Sequence, residues 1–317
     1  MTFWLMALTI TLSSFAVVTA LTSGLVALAS PAAARWLARY APAPRAALLF
    51  RLRMLPAVAA TVVACGIALP IYFWFEPKNT DEPIARTLIV AGLVGAAILM
   101  RGAWRGVAAL RATSRVLREW RARARPLSTI EAPLPVFAIE ESFPIVAVVG
   151  VTHPALFIAE RVLRECTDEE VRAMVQHECA HVIERDNLRR FLIAASPDFM
   201  GAAGPLDRAW SDAAEEAADA AAVAYRPGFA LALAQALIRV ARLAPGPAMP
   251  ELASAFHLGG SIESRVRRLL DGAPADRIPR AVGAKLAGTM ICLFAGAVVI
   301  AAPVVHQVME RVVSLLP

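Results

Sequence analysis

Long apolar runs, rather than alternation, dominate the first hundred residues. Residues 2–30 carry no charge and are long enough to cross a bilayer as a helix. Residues 54–75 repeat the pattern and end in Tyr72, Phe73, Trp74 and Phe75, an aromatic cluster suited to a membrane interface. Pro70 near that end is tolerated in a membrane helix. A third run, 84–103, contains Arg101 near its end, where an arginine can snorkel to the headgroups. A fourth, 282–303, follows Arg277 and Arg280 and has Lys285 at its entrance. Four transmembrane helices are expected.

The pattern then changes character. Arg105, Arg111, Arg115, Arg118, Arg121, Arg123 and Arg125 follow the third run with Glu119 as the one acid among them. This predicts a basic juxtamembrane helix over 104–125, near anionic lipid and stopped by Pro126. Residues 127–277 mix polar and apolar positions and are expected to form a separate α+β domain. Short β-rich stretches at 136–139, 145–149 and 155–159 predict strands, with Gly150 and Pro154 punctuating the last two. Residues 155–159 read equally as an edge strand able to pair with an extended substrate or as a plain core strand. Helices are predicted from Thr167 to about Arg190, over 210–225 and 229–243, and over 261–270. Residues 191–206 are apolar but too short and too broken by Pro197, Gly201, Gly204 and Pro205 to span.

Composition agrees with a membrane protein bearing a polar portion: 58% of the 317 residues are apolar and the mean hydropathy is +0.58. The net charge of +6 sits beside the apolar runs, so it reads as membrane topology and not as a nucleic-acid surface. Every arginine-rich segment falls on one side if the N-terminus is outside, which places residues 127–277 in the cytoplasm and the C-terminus outside. Ala27-Leu28-Ala29 fits a signal-peptidase site. The start lacks a positive n-region, and Arg35, Arg39, Arg45, Arg51 and Arg53 resist export, so a retained first span is expected. Cys65, Cys166, Cys179 and Cys292 form no C-x-x-C pair and suggest neither a disulfide framework nor a thiolate zinc site.

The chemistry concentrates at His177-Glu178-Cys179-Ala180-His181. Histidines four apart on a helix share a face and can reach one ion, with the intervening glutamate beside it as a base; this is the H-E-x-x-H arrangement of zinc peptidases. Thr167 and Glu170 form a capping-box signature ahead of it. A catalytic zinc needs a third protein ligand. Glu184 and Asn187 occupy the positions where a metzincin has glycine and histidine, so a later carboxylate is expected. Glu215 and Asp219 share a helix face; Asp212 and Glu216 share another, and spacing leaves both pairs open.

His177-Glu178-Cys179-Ala180-His181 running on to Arg185-Asp186-Asn187, then Glu215-x-x-x-Asp219, resembles the integral-membrane zinc peptidases that include the β-lactam-sensing antirepressor proteases. The segment from Gly150 to Ala159, and Ser261-x-x-x-Arg265-Val266-x-Arg268-Leu269-Leu270, are similar to segments flanking the core of that group. The Glu-x-x-x-Asp element also occurs in the heat-shock membrane protease and prenyl-protein endopeptidase group. The resemblance covers roughly 136–270 together with the membrane layout. It implies one zinc ion per chain held by His177, His181 and Glu215, with Asp219 orienting a ligand histidine and Glu178 as the catalytic base: a gluzincin-like peptidase domain. His257 and Arg265 are candidates for stabilising the charged transition state; His153 reads as a turn residue and His306 as a membrane-interface residue.

The expected protein is thus mainly α, a multi-pass protein of a bacterial-type inner membrane with a cytosolic zinc endopeptidase domain and a small β-sheet. Its expected partners are a protein or peptide substrate, such as a repressor or a membrane protein, and the lipid bilayer. The antirepressor sensors carry a penicillin-binding-like domain after the last span, and this sequence ends about there. β-Lactam sensing is therefore not expected; a sensor partner, a homo-oligomer, the spans or short loops would bring the signal. A signalling scaffold with a structural zinc is the competing class, and a zinc amidase would share the chemistry.

Overall fold

The computed structural model describes residues 2–76, 83–141, 143–199, 204–226, 228–243 and 262–272. The expected span at 282–303 and His257 lie outside the described residues, as does the end of the expected domain beyond Gly272. The described residues are mainly helical with one small mixed sheet.

Among the described residues, three helices are long and apolar enough to cross a membrane. The first is α1 (Thr2–Leu37). The second is α2 (Pro42–Val63), continued through one π-helical turn (Ala64–Ala68) into α3 (Leu69–Phe75). The third is α4 (Arg86–Arg123). The π turn sits directly ahead of Pro70, which has no N–H to offer the carbonyl of Gly66 and whose ring crowds it; a wider turn relieves both. The candidate spans, Phe3–Leu37, Pro42–Phe75 and Arg86–Arg123, contain 35, 34 and 38 residues. At 1.5 Å per residue they are about 50–57 Å long, against about 30 Å of hydrocarbon. Each therefore extends well past a bilayer core.

That excess length changes the expected layout. The first helix continues seven residues beyond 30, and the second begins at Pro42, so the arginine-rich stretch between the first two spans is largely helical. The span expected at 84–103 and the basic helix expected at 104–125 are one continuous helix, α4. Arginine is a good helix former, and nothing between Ala103 and Arg105 breaks the backbone ladder.

Glycines on α4 set its packing. A Cβ at Gly95 would overlap the Leu12 carbonyl of α1, and one at Gly92 would come within 3.2 Å of the Thr9 methyl. Small residues here let the two backbones approach closely, as in membrane helix pairs. Ser13 Oγ donates to the Leu88 carbonyl at 2.8 Å in the same contact. Further along α4, Gly102 and Gly106 receive Ala195 and Pro197.

The sheet contains β1 (Arg125–Pro126), β2 (Val136–Ile139), β3 (Val146–Val149) and β4 (Ala155–Ala159), ordered β1-β2-β4-β3. β4 pairs parallel with β2 and antiparallel with β3, Phe157 lying opposite both Phe137 and Ala147. It is fully buried. Of the two readings of 155–159, the core strand holds and the edge strand does not, because both its sides are paired; β3 is the edge. After the sheet come α5 (Glu160–Glu165), α6 (Asp168–Ile183), α7 (Asp186–Ala195), α8 (Gly204–Tyr225), α9 (Phe229–Leu243) and α10 (Ile262–Asp271).

One core joins the sheet to α6 and α9 through Leu156, Ile158, Val162, Val175 and Leu233. A second core joins α2 to α8 through Leu49, Leu206, Trp210 and Ala213. Ion pairs flank this second core. Arg45 of α2 pairs with Glu216 of α8, and Arg53 Nε lies 2.6 Å from Asp207 Oδ1. As α2 runs forward from 45 to 53, α8 runs back from 216 to 207, so the two helices are antiparallel. Arg53 is 1% exposed and also reaches Ser196, Asp198 and the Ile193 carbonyl. Asp198 accepts from Arg105 at 2.9 Å and Arg101 at 3.4 Å. A buried arginine is tolerable only with such pairing. The connection between α7 and α8 is thereby anchored to two membrane-type helices.

Candidate metal centre

The helix that carries the site begins as the sequence predicts. The Thr167 hydroxyl accepts from the Glu170 N–H at 3.3 Å, while the Glu170 carboxylate accepts from the Thr167 N–H at 2.7 Å. Asp168, Glu169 and Glu170 lie in the first turn of α6, favoured by the helix dipole. Val175 and Cys179 go into the core, and His177 and His181 emerge together on another face. Their Nε2 atoms are 3.2 Å apart.

α8 packs across α6 and delivers Glu215 to the same point. Glu215 Oε2 lies 3.4 Å from His177 Nε2, and Oε1 lies 3.6 Å from His181 Nε2. All three side chains are buried, and His177, His181 and Glu215 form a group that could hold a metal ion.

Further carboxylates address the opposite ring nitrogens. His177 Nδ1 lies 2.9 Å from Asp219 Oδ1, and His181 Nδ1 lies 2.7 Å from Asp186 Oδ2. Such partners set the tautomer and aim each Nε2 lone pair inward. Asp186 reaches His181 because the expected helix over 167–190 is broken: Arg185 takes the left-handed conformation, φ +56°, between α6 and α7. The turn folds Asp186 back beneath His181, where a continuous helix would carry it away.

Arg265 on α10 completes the layer. Its Nη2 and Nε lie 2.6 Å and 2.9 Å from the two Asp219 oxygens, and Nη1 lies 3.3 Å from Glu215 Oε2. The guanidinium is thus occupied with the carboxylates that hold the site. Arg190 on α7 contacts Glu215 Oε1 at 3.1 Å.

The electrostatics follow from this packing. Burial alone would depress both histidines, but the neighbouring carboxylates of Asp219 and Glu215, acting as acceptors, hold His177 above its ordinary value. Burial is likewise outweighed at His181, where Asp186 and Glu215 raise the pKa to about 10. Glu215 is held well below the usual range despite burial, through hydrogen bonds with His177 and His181. Asp219 is lowered to about 2, against burial, by His177 and Arg265. Glu178 goes the other way: burial raises it, and the two histidines only partly pull it back. Its Oε2 accepts the Val148 N–H from edge strand β3 at 3.1 Å. Asn187 donates to the carbonyls of Val148 and Gly150, both at 3.0 Å, tying that strand to α7.

Of the carboxylates left open by spacing, Glu215 joins the histidines, whereas Glu216 pairs with Arg45 and Arg268. Asp219 and Arg265 stand immediately behind the group. Cys179 is buried in the core away from it. Asp186, Asn187 and Arg190 are contributors for which sequence reasoning assigned no role. For Asp186 a signal existed, a carboxylate just after the second histidine; for Arg190 there was none, because its contact depends on how α7 meets α8. No known protein-family profile matches the chain, and no curated protein matches it in sequence.

Proposed function

We propose that this chain is a membrane-embedded zinc-dependent endopeptidase of the kind its sequence resembles, hydrolysing peptide bonds at the cytosolic face. The observation that carries the reading is the convergence of His177, His181 and Glu215 with Glu178 at their side. Ligands about 2.0–2.1 Å from a tetrahedral zinc stand about 3.3 Å from one another. The separations of 3.2, 3.4 and 3.6 Å fit that edge length. A two-histidine, one-carboxylate set also suits zinc in catalytic sites, which keep a position open.

When bound, the zinc would lower the pKa of a water and polarise the scissile carbonyl. The chain's own residues do the rest. Glu178, its pKa raised by burial, takes the proton as the water oxygen bonds to the carbonyl carbon, then returns it to the departing amine as the C–N bond breaks. Asp186 and Asp219 hold the histidine rings, and Arg265 holds Asp219. Edge strand β3 runs beside Glu178 and would flank an extended substrate, its Val148 main chain being engaged by Glu178 and Asn187.

The reading extends to the membrane layout: four spans counting 282–303, the N-terminus outside, and the site on the cytoplasmic side of a bacterial-type inner membrane. The arginine distribution supports this. A repressor or another membrane protein is the substrate class that location favours. The test compares protein N-termini in host cells making wild type or Glu178→Gln at equal levels. New termini only with wild type, and zinc bound in both proteins, are expected. Identical termini with zinc retained would instead support a scaffold with a structural zinc.

A further inference from the structure

A groove of about 420 Å³ runs from the metal centre along the β3 edge and the start of α7. His181 stands in its wall, and Val148, Val151, Pro154 and Leu188 give it a largely apolar surface. Arg185 is the lining residue with a permanent charge. It is exposed, and no acidic partner meets it among the described residues. The acids near it are engaged elsewhere: Glu184 pairs with Arg189 at 3.0 Å, and Asp186 pairs with His181 and Arg189. The site's other arginines are likewise occupied, Arg190 on Glu215 and Arg265 on Asp219.

The backbone at this position adds an independent observation. Arg185 has φ +56° in the turn that ends α6, where glycine is the favoured residue. An arginine there carries strain that glycine would not, and strained residues gather where a side chain is needed.

We propose that this groove selects substrate segments bearing an aspartate or glutamate, and that Arg185 reads that charge. The inference rests on the peptidase reading above and names a specificity for the same site. A segment laid along β3 would place its acidic side chain over Arg185 and apolar neighbours against Val151 and Leu188. Arg185 is a specificity residue; its charge lies outside the metal group and takes no part in proton transfer.

The test uses the full chain in nanodiscs, zinc-loaded and carrying Glu178→Gln so that peptides bind without turnover. Fluorescent peptides differing only by aspartate or asparagine at successive positions are titrated by anisotropy. At one position aspartate should bind about fivefold tighter, the upper end for a partly exposed ion pair. Adding Arg185→Gly, which suits the left-handed backbone, should collapse that preference, and Arg185→Lys should restore part of it. Arg185→Gln serves as a second neutral variant if glycine perturbs folding. Equal binding of both peptide series, or a preference that survives loss of the arginine, would overturn the proposal. So would an unchanged peptide preference with weakened binding to phosphatidylserine vesicles, which would assign Arg185 to lipid. Selective binding without cleavage once Glu178 is restored would leave this inference standing and refute the peptidase reading.

Discussion

Asp186→Asn tests the layer behind the metal group most directly. The change keeps the size of the side chain and leaves an oxygen to accept from His181 Nδ1, now 2.7 Å from a carboxylate. What it removes is charge. A hydrogen bond to a charged partner is worth about 1–1.5 kcal/mol more than a neutral one, so the metal-binding lone pair should lose about tenfold in zinc affinity. The same loss weakens the proton that competes for that lone pair. With a His181 pKa of about 10, freeing the nitrogen at pH 7 costs about 4 kcal/mol in the wild type. Asp186→Asn lowers that cost about as much as it lowers the metal's gain, so nearly all of the effect cancels at pH 6, about twofold emerges at pH 9, and the full loss would show only above about pH 10. Zinc titration against a competing chelator from pH 6 to pH 9 should therefore show a Kd ratio that grows with pH. A ratio that stays flat, or a variant indistinguishable from wild type throughout, would refute the proposed role of Asp186.

Two further outcomes follow from the same geometry. Without metal, the raised histidines stabilise the fold fully below their unfolded pKa of about 6.5 and lose that contribution as pH climbs, His181 toward about 10. The lowered Glu215 and Asp219 contribute above their unfolded values of about 4 and lose it as pH falls, Asp219 toward about 2. Chelator-treated protein should then show its highest Tm near pH 5–6; a Tm that rises steadily from pH 6 to pH 9 would contradict this assignment. Gly95→Val should separate α1 from α4 by forcing a side chain into the Leu12 carbonyl, costing about 2 kcal/mol or more. A lowered Tm in detergent, with no comparable loss for Gly24→Ala where the space is open, is the expected readout.

The sequence by itself determined the local features. Uncharged runs marked the apolar helices, because a chain crossing hydrocarbon must satisfy its backbone internally and has no use for charge. Thr167 and Glu170 marked the start of α6, since a capping box is a contact between residues three apart. Helical spacing brought His177 and His181 to one face and put Glu178 beside them. The limits came where a contact depended on distant segments. Periodicity cannot show that 155–159 is paired on both sides, because strand order is set by long-range pairing. Nor can it choose Glu215 over Glu216: adjacent residues point about 100° apart, and the choice rests on which face of α8 meets α6. Arg53 in α2 lies more than 140 residues from both Asp198 and Asp207, and only packing joins it to them. Tertiary structure likewise converted Arg185 from an expected helix residue into the left-handed turn that brings Asp186 under His181. One positive φ value there redirects the chain, and nothing in the residue type announces it.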